Sequence, residues 1–442
     1  MSSETFKPGK AGHKGKAFQK KSYEKRDSRE RRGENMERIK GGVTAAKGFQ
    51  AAGVEANVKY KNRKDMAMIV SGVPCRAAGV FTSNVVKAAP VVWDRELIDN
   101  SPYIQAVVVN SGIANACTGR QGYAYCQETA QAAASALHIP ENTVLVASTG
   151  VIGMQLPMDK ITAGVEKLAV SLSDTPEAGT LAAEAIMTTD TISKQVAVQF
   201  EAGGKTVTVG GMSKGSGMIH PNMCTMLGFV TTDIAISKEL LQEALREDVV
   251  DTFNMISVDG DTSTNDTLVV LANGCAENPE ITEKNEDYEN FVKALHEVNE
   301  TLAKMMAGDG EGATALFETR VIHAATKEDA RTLAKSVICS SLTKAAIFGH
   351  DANWGRILCA MGYSGASFDT KAVQIEFASA EGRISVCENG QGLDFDEALA
   401  KKILNQDEVE ILVSLKEGCG TATCWGCDLT YDYVRINGDY RS

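Results

Sequence analysis

The chain has 442 residues and a formal net charge of −12. Apolar residues make up 43% and charged residues 23%, a mix that excludes collagen, a coiled coil and wholesale disorder. No run of 18 apolar residues occurs, so no membrane-spanning helix is expected, and the acidic balance argues against a dedicated nucleic-acid binder.

Residues 1–36 differ from the rest. They hold no Ile, Leu, Val or Trp. Residues 1–40 carry a net +7, which leaves −19 on the remainder. Such a segment buries too little apolar surface to fold alone and reads as a disordered basic extension. A solvated tail is the plain reading, and a polyanion-binding arm is the functional one. From Gly41 onward, β-rich runs alternate with Ala-rich helical ones. Val107–Asn110 and Val144–Ser148 read as buried strands. Helices are expected over Gly122–Leu137, Lys160–Leu172, Lys238–Asp251, Glu289–Met306 and Lys327–Val337. Gln195–Phe200 and Thr206–Val209 alternate around a glycine-containing hairpin loop, Glu201–Lys205. Strand returns over Glu410–Ser414 and Asp428–Asn437. Without a regular βαβ rhythm, the expected class is α+β, a layered sandwich of mixed sheets.

Eleven cysteines, odd in number and mostly in apolar surroundings, fit buried free thiols in a reducing cytoplasm, and no signal peptide is expected. Cys419, Cys424 and Cys427 cluster, the last two as C-x-x-C. No second pair completes four ligands, so no metal site is assigned. Gly204-Lys205-Thr206 lacks the upstream glycine of a phosphate loop, since Gln199 stands there. The stretch from Asp259 starts like a calcium loop, but Thr264 and Val270 stand where glycine and glutamate are needed. G-x-S-x-G is missing, and with six histidines a His-based triad has little material.

Forty glycines against nine prolines is the unusual count. The glycines gather with small polar residues in six stretches: 110–116, 148–153, 214–218, 259–266, 308–314 and 351–356. Bare N–H groups in such loops can approach a ligand closely, so together they point to a catalytic site built from loops. Thr225 lies in a further stretch, Gly217–Phe229, within an apolar run. By pattern alone it is a β-branched residue on a buried strand with its hydroxyl satisfied locally. The sharper reading is a threonine nucleophile. Its hydroxyl attacks the preceding carbonyl and cuts the chain. The new α-amine, with a pKa near ~8, then acts as the adjacent base.

From about Gly41 to Ser442 the chain resembles the ornithine acetyltransferase (glutamate N-acetyltransferase) family of arginine biosynthesis. The resemblance runs through Gly41-Gly42-Val43-Thr44, the six loops, Lys214–Thr225, and Trp425–Val434 with Ile436–Ser442. It implies an N-terminal-nucleophile-like fold with helices outside and a smaller C-terminal α/β lobe. It implies self-cleavage between Cys224 and Thr225, giving an α chain (37–224 after the extension) and a β chain (225–442). It implies acetyl transfer from N-acetyl-L-ornithine to L-glutamate through an acetyl-Thr225 ester. Thr149 and Gly150 resemble the oxyanion hole. Thr188, Lys214, Thr225, Glu311, Asn437 and Ser442 carry over as substrate-binding residues. No cofactor is implied, although acetyl-CoA is a candidate second acetyl donor. The implied partners are the small-molecule substrates and the associated α and β chains, as a dimer of αβ units in the cytoplasm. This sequence departs from the family pattern at Cys224, usually Ala, and at Ala315, usually Lys. Ala46 and Ala352 stand where the family has Pro. Two alternatives use other chemistry: an amidohydrolase or aminopeptidase on the same scaffold, and polyanion association through residues 1–36.

Overall fold

Runs that are apolar without alternation become strands buried on both faces, and they set the architecture. The computed structural model describes residues 36–220 and 226–438. Residues 1–35 of the basic extension, Cys224, Thr225 and Ser442 therefore lie outside the described residues. In chain order the first elements are β1 (Met36–Ile39), β2 (Phe49–Val54), β3 (Met66–Phe81), α1 (Ala89–Asn100), β4 (Ile104–Ile113) and α2 (Gly119–Leu137). They are followed by β5 (Val144–Val151), α3 (Met158–Ser171), α4 (Pro176–Ala185), β6 (Lys194–Ala202), β7 (Lys205–Lys214) and β8 (Leu227–Thr232). Next come α5 (Lys238–Val249), β9 (Ile256–Ser257), β10 (Thr267–Ala272), α6 (Glu286–Gly308), β11 (Leu316–Ala324), α7 (Lys327–Cys339), α8 (Ser341–Phe348) and α9 (Trp354–Gly362). The chain closes with β12 (Gln374–Ser379), β13 (Gly382–Glu388), β14 (Gln391–Gly392), α10 (Glu397–Leu404), β15 (Glu408–Ser414), β16 (Gly420–Cys427) and α11 (Tyr431–Gly438).

Nine strands form one mixed sheet in the order β1-β6-β7-β8-β10-β3-β4-β5, with β2 paired to β3. Seven form a second sheet, β14-β13-β12-β15-β11-β16-β9. The layered α+β class expected from the sequence stands. Strand β10 shows why its sequence does not alternate. Leu268 and Val270 enter the core on one face, while Val269 and Leu271 enter the core on the other. Each fully buried side chain of this size contributes about 1.5–3 kcal/mol.

Helix α6 links the two sheets. Asn285 caps its first turn by accepting the Tyr288 N–H at 3.0 Å, and Glu286, Asp287 and Glu289 suit the positive end of the helix. Phe291, Leu295, Val298, Leu302 and Met306 line its buried stripe. It touches β6 and β7 of one sheet and β16, β9 and β11 of the other, so it lies between the layers rather than outside them. Its C-terminal end delivers the 309–312 loop to the site described below.

One expectation is corrected at the C-terminus. Residues 428–437 are not a strand: β16 ends at Cys427, and Tyr431–Gly438 is helix α11. The deciding residue is Thr430, whose Oγ1 accepts the N–H groups of Asp432 (3.2 Å) and Tyr433 (3.4 Å) and so caps the helix start. The C-x-x-C pair also resolves. Cys424 and Cys427 sit three positions apart on β16, so their side chains point to opposite faces and cannot chelate one ion. Among the described residues no helix is long and apolar enough to cross a membrane.

Candidate active site

The site forms where the ends of β5 and β7 meet the starts of β8 and β10. A cavity of about 320 Å3 lies there. It gathers Thr149, Gly150, Thr188, Lys214, Glu311 and Asn437, six residues separated by as many as 288 positions in the chain. Met226, the residue that follows Thr225, also lines it. No histidine is among the described lining residues. Of the six glycine-rich stretches, four supply lining residues. Stretch 110–116 supports from behind, since Asn265 Nδ2 donates to Ala114 O (2.6 Å) and Ser148 O (2.7 Å). Stretch 351–356 belongs elsewhere: it starts helix α9, with Asn353 accepting the Arg356 N–H at 3.2 Å. It looked like a site loop because a helix cap uses the same small polar residues.

Gly150 sits at the end of β5, where the β4–β5 ladder shifts register. Its φ is +127°, and a Cβ there would lie 2.2 Å from the Gly112 carbonyl carbon. Only glycine allows this backbone to turn into the cavity beside a neighbouring strand. Lys214 ends β7. Its ammonium donates to Thr188 Oγ1 (2.8 Å) and Thr149 Oγ1 (3.4 Å). Burial lowers its pKa from the ordinary lysine value, and Asp190 works against that shift. Glu311 is buried and accepts from Asn437 Nδ2 at 2.6 Å. Its own N–H donates to Ser216 O at 2.8 Å. Gly217 makes room for it: a Cβ there would be 2.3 Å from the Glu311 carboxyl carbon.

Behind the cavity runs a buried charge chain that the sequence did not reveal. Asp190 Oδ1 accepts from Lys194 Nζ (2.7 Å) and from the Gly215 N–H (2.7 Å). Its Oδ2 accepts the Thr188 N–H at 3.0 Å and lies 3.9 Å from Lys214 Nζ. Lys194 also donates to Asp309 Oδ2 at 2.6 Å. Burial would raise the Asp190 pKa, but Lys194 and Lys214 outweigh it and hold the carboxyl below its ordinary range. Two carboxylates and two ammonium groups thus balance in one buried chain whose Lys214 end opens to the cavity. Together they place Thr188, Lys214 and the 309–311 loop. Lys194→Met should leave Asp190 and Asp309 buried without their cation, costing about 3–5 kcal/mol. Chemical denaturation checks this, and a wild-type midpoint would contradict it.

Asp259 fixes the opposite wall. It accepts the N–H groups of Met218 (2.6 Å) and Ile219 (2.9 Å) and the Tyr433 hydroxyl at 3.1 Å. The acidic start of the rejected calcium motif therefore serves to dock helix α11, and with it Asn437. His220 does not join the cavity. It contacts Ser257 Oγ (3.2 Å) and Cys339 Sγ (3.4 Å), and burial pushes its pKa down to about 4. Ala315, the departure from lysine, is buried at the entry to β11, and its N–H donates to Asp428 Oδ1 at 3.1 Å. It does not line the cavity.

Six residues foreseen in the sequence thus line one cavity. The ArgJ family model matches residues 50–442. An "Arginine biosynthesis bifunctional protein ArgJ" from Symbiobacterium thermophilum is 55% identical over 409 residues, covering 92% of this chain and 100% of that one. Relatives of the same name from Caldanaerobacter subterraneus (53% identity; 92% of this chain, 100% of that one) and Thermotoga neapolitana (52%; 90% and 99%) are similar. The site and these matches define an acyltransferase of arginine biosynthesis. The chain belongs to the ArgJ family, the ornithine acetyltransferase family of the resemblance. Residues 1–49 precede the family match.

Proposed function

We propose that this chain cuts itself between Cys224 and Thr225 and then transfers an acetyl group from N-acetyl-L-ornithine to L-glutamate through an acetyl-Thr225 ester. The observation that carries the reading is the convergence of Thr149, Gly150, Thr188, Lys214, Glu311 and Asn437 on the cavity that Met226 also lines. Thr225 is bonded directly to Met226, so a nucleophile there needs no distant partner to reach this space. In this reading Thr149 and Gly150 donate to the oxygen that turns negative in the tetrahedral intermediate. The Lys214 ammonium pairs with the substrate carboxylate, and the Glu311 carboxylate pairs with its side-chain amine. Asn437 holds Glu311 in place. No histidine is required, because the α-amine released by cleavage accepts the hydroxyl proton. No cofactor is required either.

The fold supports lasting association of the two pieces. Strand β8 follows Thr225 and pairs on one side with β7, which precedes the cut, and on the other with β10, which follows it. Separating the pieces would tear a central sheet apart. The word "bifunctional" in the relatives' name supports acetyl-CoA as a second acetyl donor. The test is direct: incubate the protein with N-acetylornithine, with and without glutamate. N-acetylglutamate formed with release of ornithine is expected. Free acetate formed without glutamate would indicate a hydrolase and overturn the transferase reading. N-acetylglutamate formed from acetyl-CoA and glutamate would establish the second donor.

A further inference from the structure

One side-chain amide ties two walls of the cavity together. Asn265 lines the site and is buried. Its Nδ2 has two hydrogens to give, and it donates to Ser148 O at 2.7 Å and to Ala114 O at 2.6 Å. Its Oδ1 accepts from Thr264 Oγ1 at 2.6 Å, which sets the end of the amide that faces the carbonyls. The Ser148 carbonyl belongs to the same planar trans peptide as the Thr149 N–H, so holding its oxygen sets the direction of that N–H. The second contact reaches the far end of the same segment, because Ala114 donates its own N–H to Val151 O at 3.0 Å. Residues 148–151, with Thr149 and Gly150 in the middle, are thus held at both ends through Asn265. Asn265 in turn is placed by its neighbours. Its N–H donates to Ser263 Oγ at 3.1 Å, and its carbonyl accepts from Thr267 Oγ1 at 3.0 Å. The Thr267 N–H donates to Met226 O at 2.8 Å, next to the start of β8.

We propose that Asn265 is a positioning residue of acyl transfer: its amide holds Thr149 and Gly150 at the place where they stabilise the tetrahedral intermediate. The proposal rests on the oxyanion reading of Thr149 and Gly150 given above. Asn265 itself touches no reacting atom, and its task is geometric. The end of β5 needs such an anchor because it has left the regular ladder. The β4–β5 register shifts at Gly112 and Ile113, and Gly150 turns with a φ of +127°. Strand pairing alone does not fix a segment at such an irregularity. Oxyanion donors act only at hydrogen-bond distance from the oxygen as it becomes negative, so a small displacement of the segment weakens them. The anchor also spans the proposed cut. Ala114 and Ser148 precede residue 225, and Asn265 follows it. In the cleaved protein these two hydrogen bonds would join the second piece to the oxyanion segment of the first.

The experiment measures kcat, KM for N-acetylornithine and thermal midpoint for Asn265→Ala, Thr264→Val, Thr149→Ala and the double variant Asn265→Ala with Thr149→Ala. Each kcat is referred to the cleaved fraction seen on a denaturing gel. Asn265→Ala should lower kcat by about 10²-fold through misplacement of the segment. KM should change only a few-fold, because Lys214 and Glu311 are not held by Asn265. Thr264→Val keeps the side-chain shape, removes the bond that orients the amide, and should lower kcat by about tenfold. It gives a reading even if Asn265→Ala misfolds or stays uncut. The double variant tests whether Asn265 acts through Thr149. If it does, its loss should cost several-fold less in the Thr149→Ala background than in the wild type. A merely structural asparagine would lower the thermal midpoint and cost the same kcat in both backgrounds. Wild-type kcat in Asn265→Ala and Thr264→Val, equal losses in the two backgrounds, or a loss carried by KM overturns the proposal. The oxyanion reading fails separately, through wild-type kcat in Thr149→Ala.

Discussion

Thr225→Ala should yield one uncut chain of 442 residues and no detectable acetyl transfer. The substitution removes a hydroxyl and a methyl group and adds nothing that could clash. In the proposed mechanism that hydroxyl acts twice. It attacks the Cys224 carbonyl during maturation, and its oxygen later carries the acetyl group. Removing a covalent nucleophile costs on the order of 10⁶-fold in kcat, and here maturation is lost as well. Denaturing electrophoresis should show two pieces of 224 and 218 residues for the wild type and a single band for the variant. Mass analysis of the smaller piece should find threonine at its N-terminus. An uncut yet fully active wild type, or transfer by Thr225→Ala, would remove Thr225 from the mechanism.

Gly150→Ala should lower both stability and kcat sharply. The new Cβ would lie 2.2 Å from the Gly112 carbonyl carbon and 2.4 Å from its oxygen. These are backbone atoms of the neighbouring strand β4, so no side chain can rotate away. The φ of +127° adds strain of about 1–3 kcal/mol for any residue with a Cβ. The chain can relieve both only by moving the end of β5, which moves the Thr149 and Gly150 N–H groups. If these form the oxyanion hole, losing one donor costs about 10²–10³-fold in kcat. KM should change much less, because the charged groups proposed to hold the substrate sit on β7 and the 309–312 loop. A thermal melt run beside the kinetics separates the two effects. A variant with lowered stability but unchanged kcat would show that Gly150 serves the fold alone.

Both experiments probe residues that were legible in the sequence, and so were the other five lining positions carried over from the resemblance. The reason is chemical. Glycine beside small polar residues, and a threonine between N-M-C and M-L-G, leave local marks. The helices were legible for a similar reason: the buried stripe of α6 repeats every three to four residues. Asp190 and Lys194 left no such mark. Four residues apart, they read as an ordinary surface pair, yet both side chains are fully buried. What changes their meaning is Asp309, more than a hundred positions away, which supplies the second carboxylate.

The sequence by itself determined the chemistry on offer. It held the candidate nucleophile, the glycines that free the backbone, the charges that suit an amino-acid substrate, and the family to which the chain belongs. These depend on residue type and short spacing, which a linear chain carries intact. The tertiary structure alone decided which of these groups meet. It placed the 351–356 loop outside the site and turned residues 431–438 into a helix that brings Asn437 to Glu311. It also joined strands from both sides of residue 225 into one sheet. Such outcomes depend on contacts between residues far apart in the chain. Burial then decides the charge state of each group, because the cost of removing a charge from water is set by everything around it.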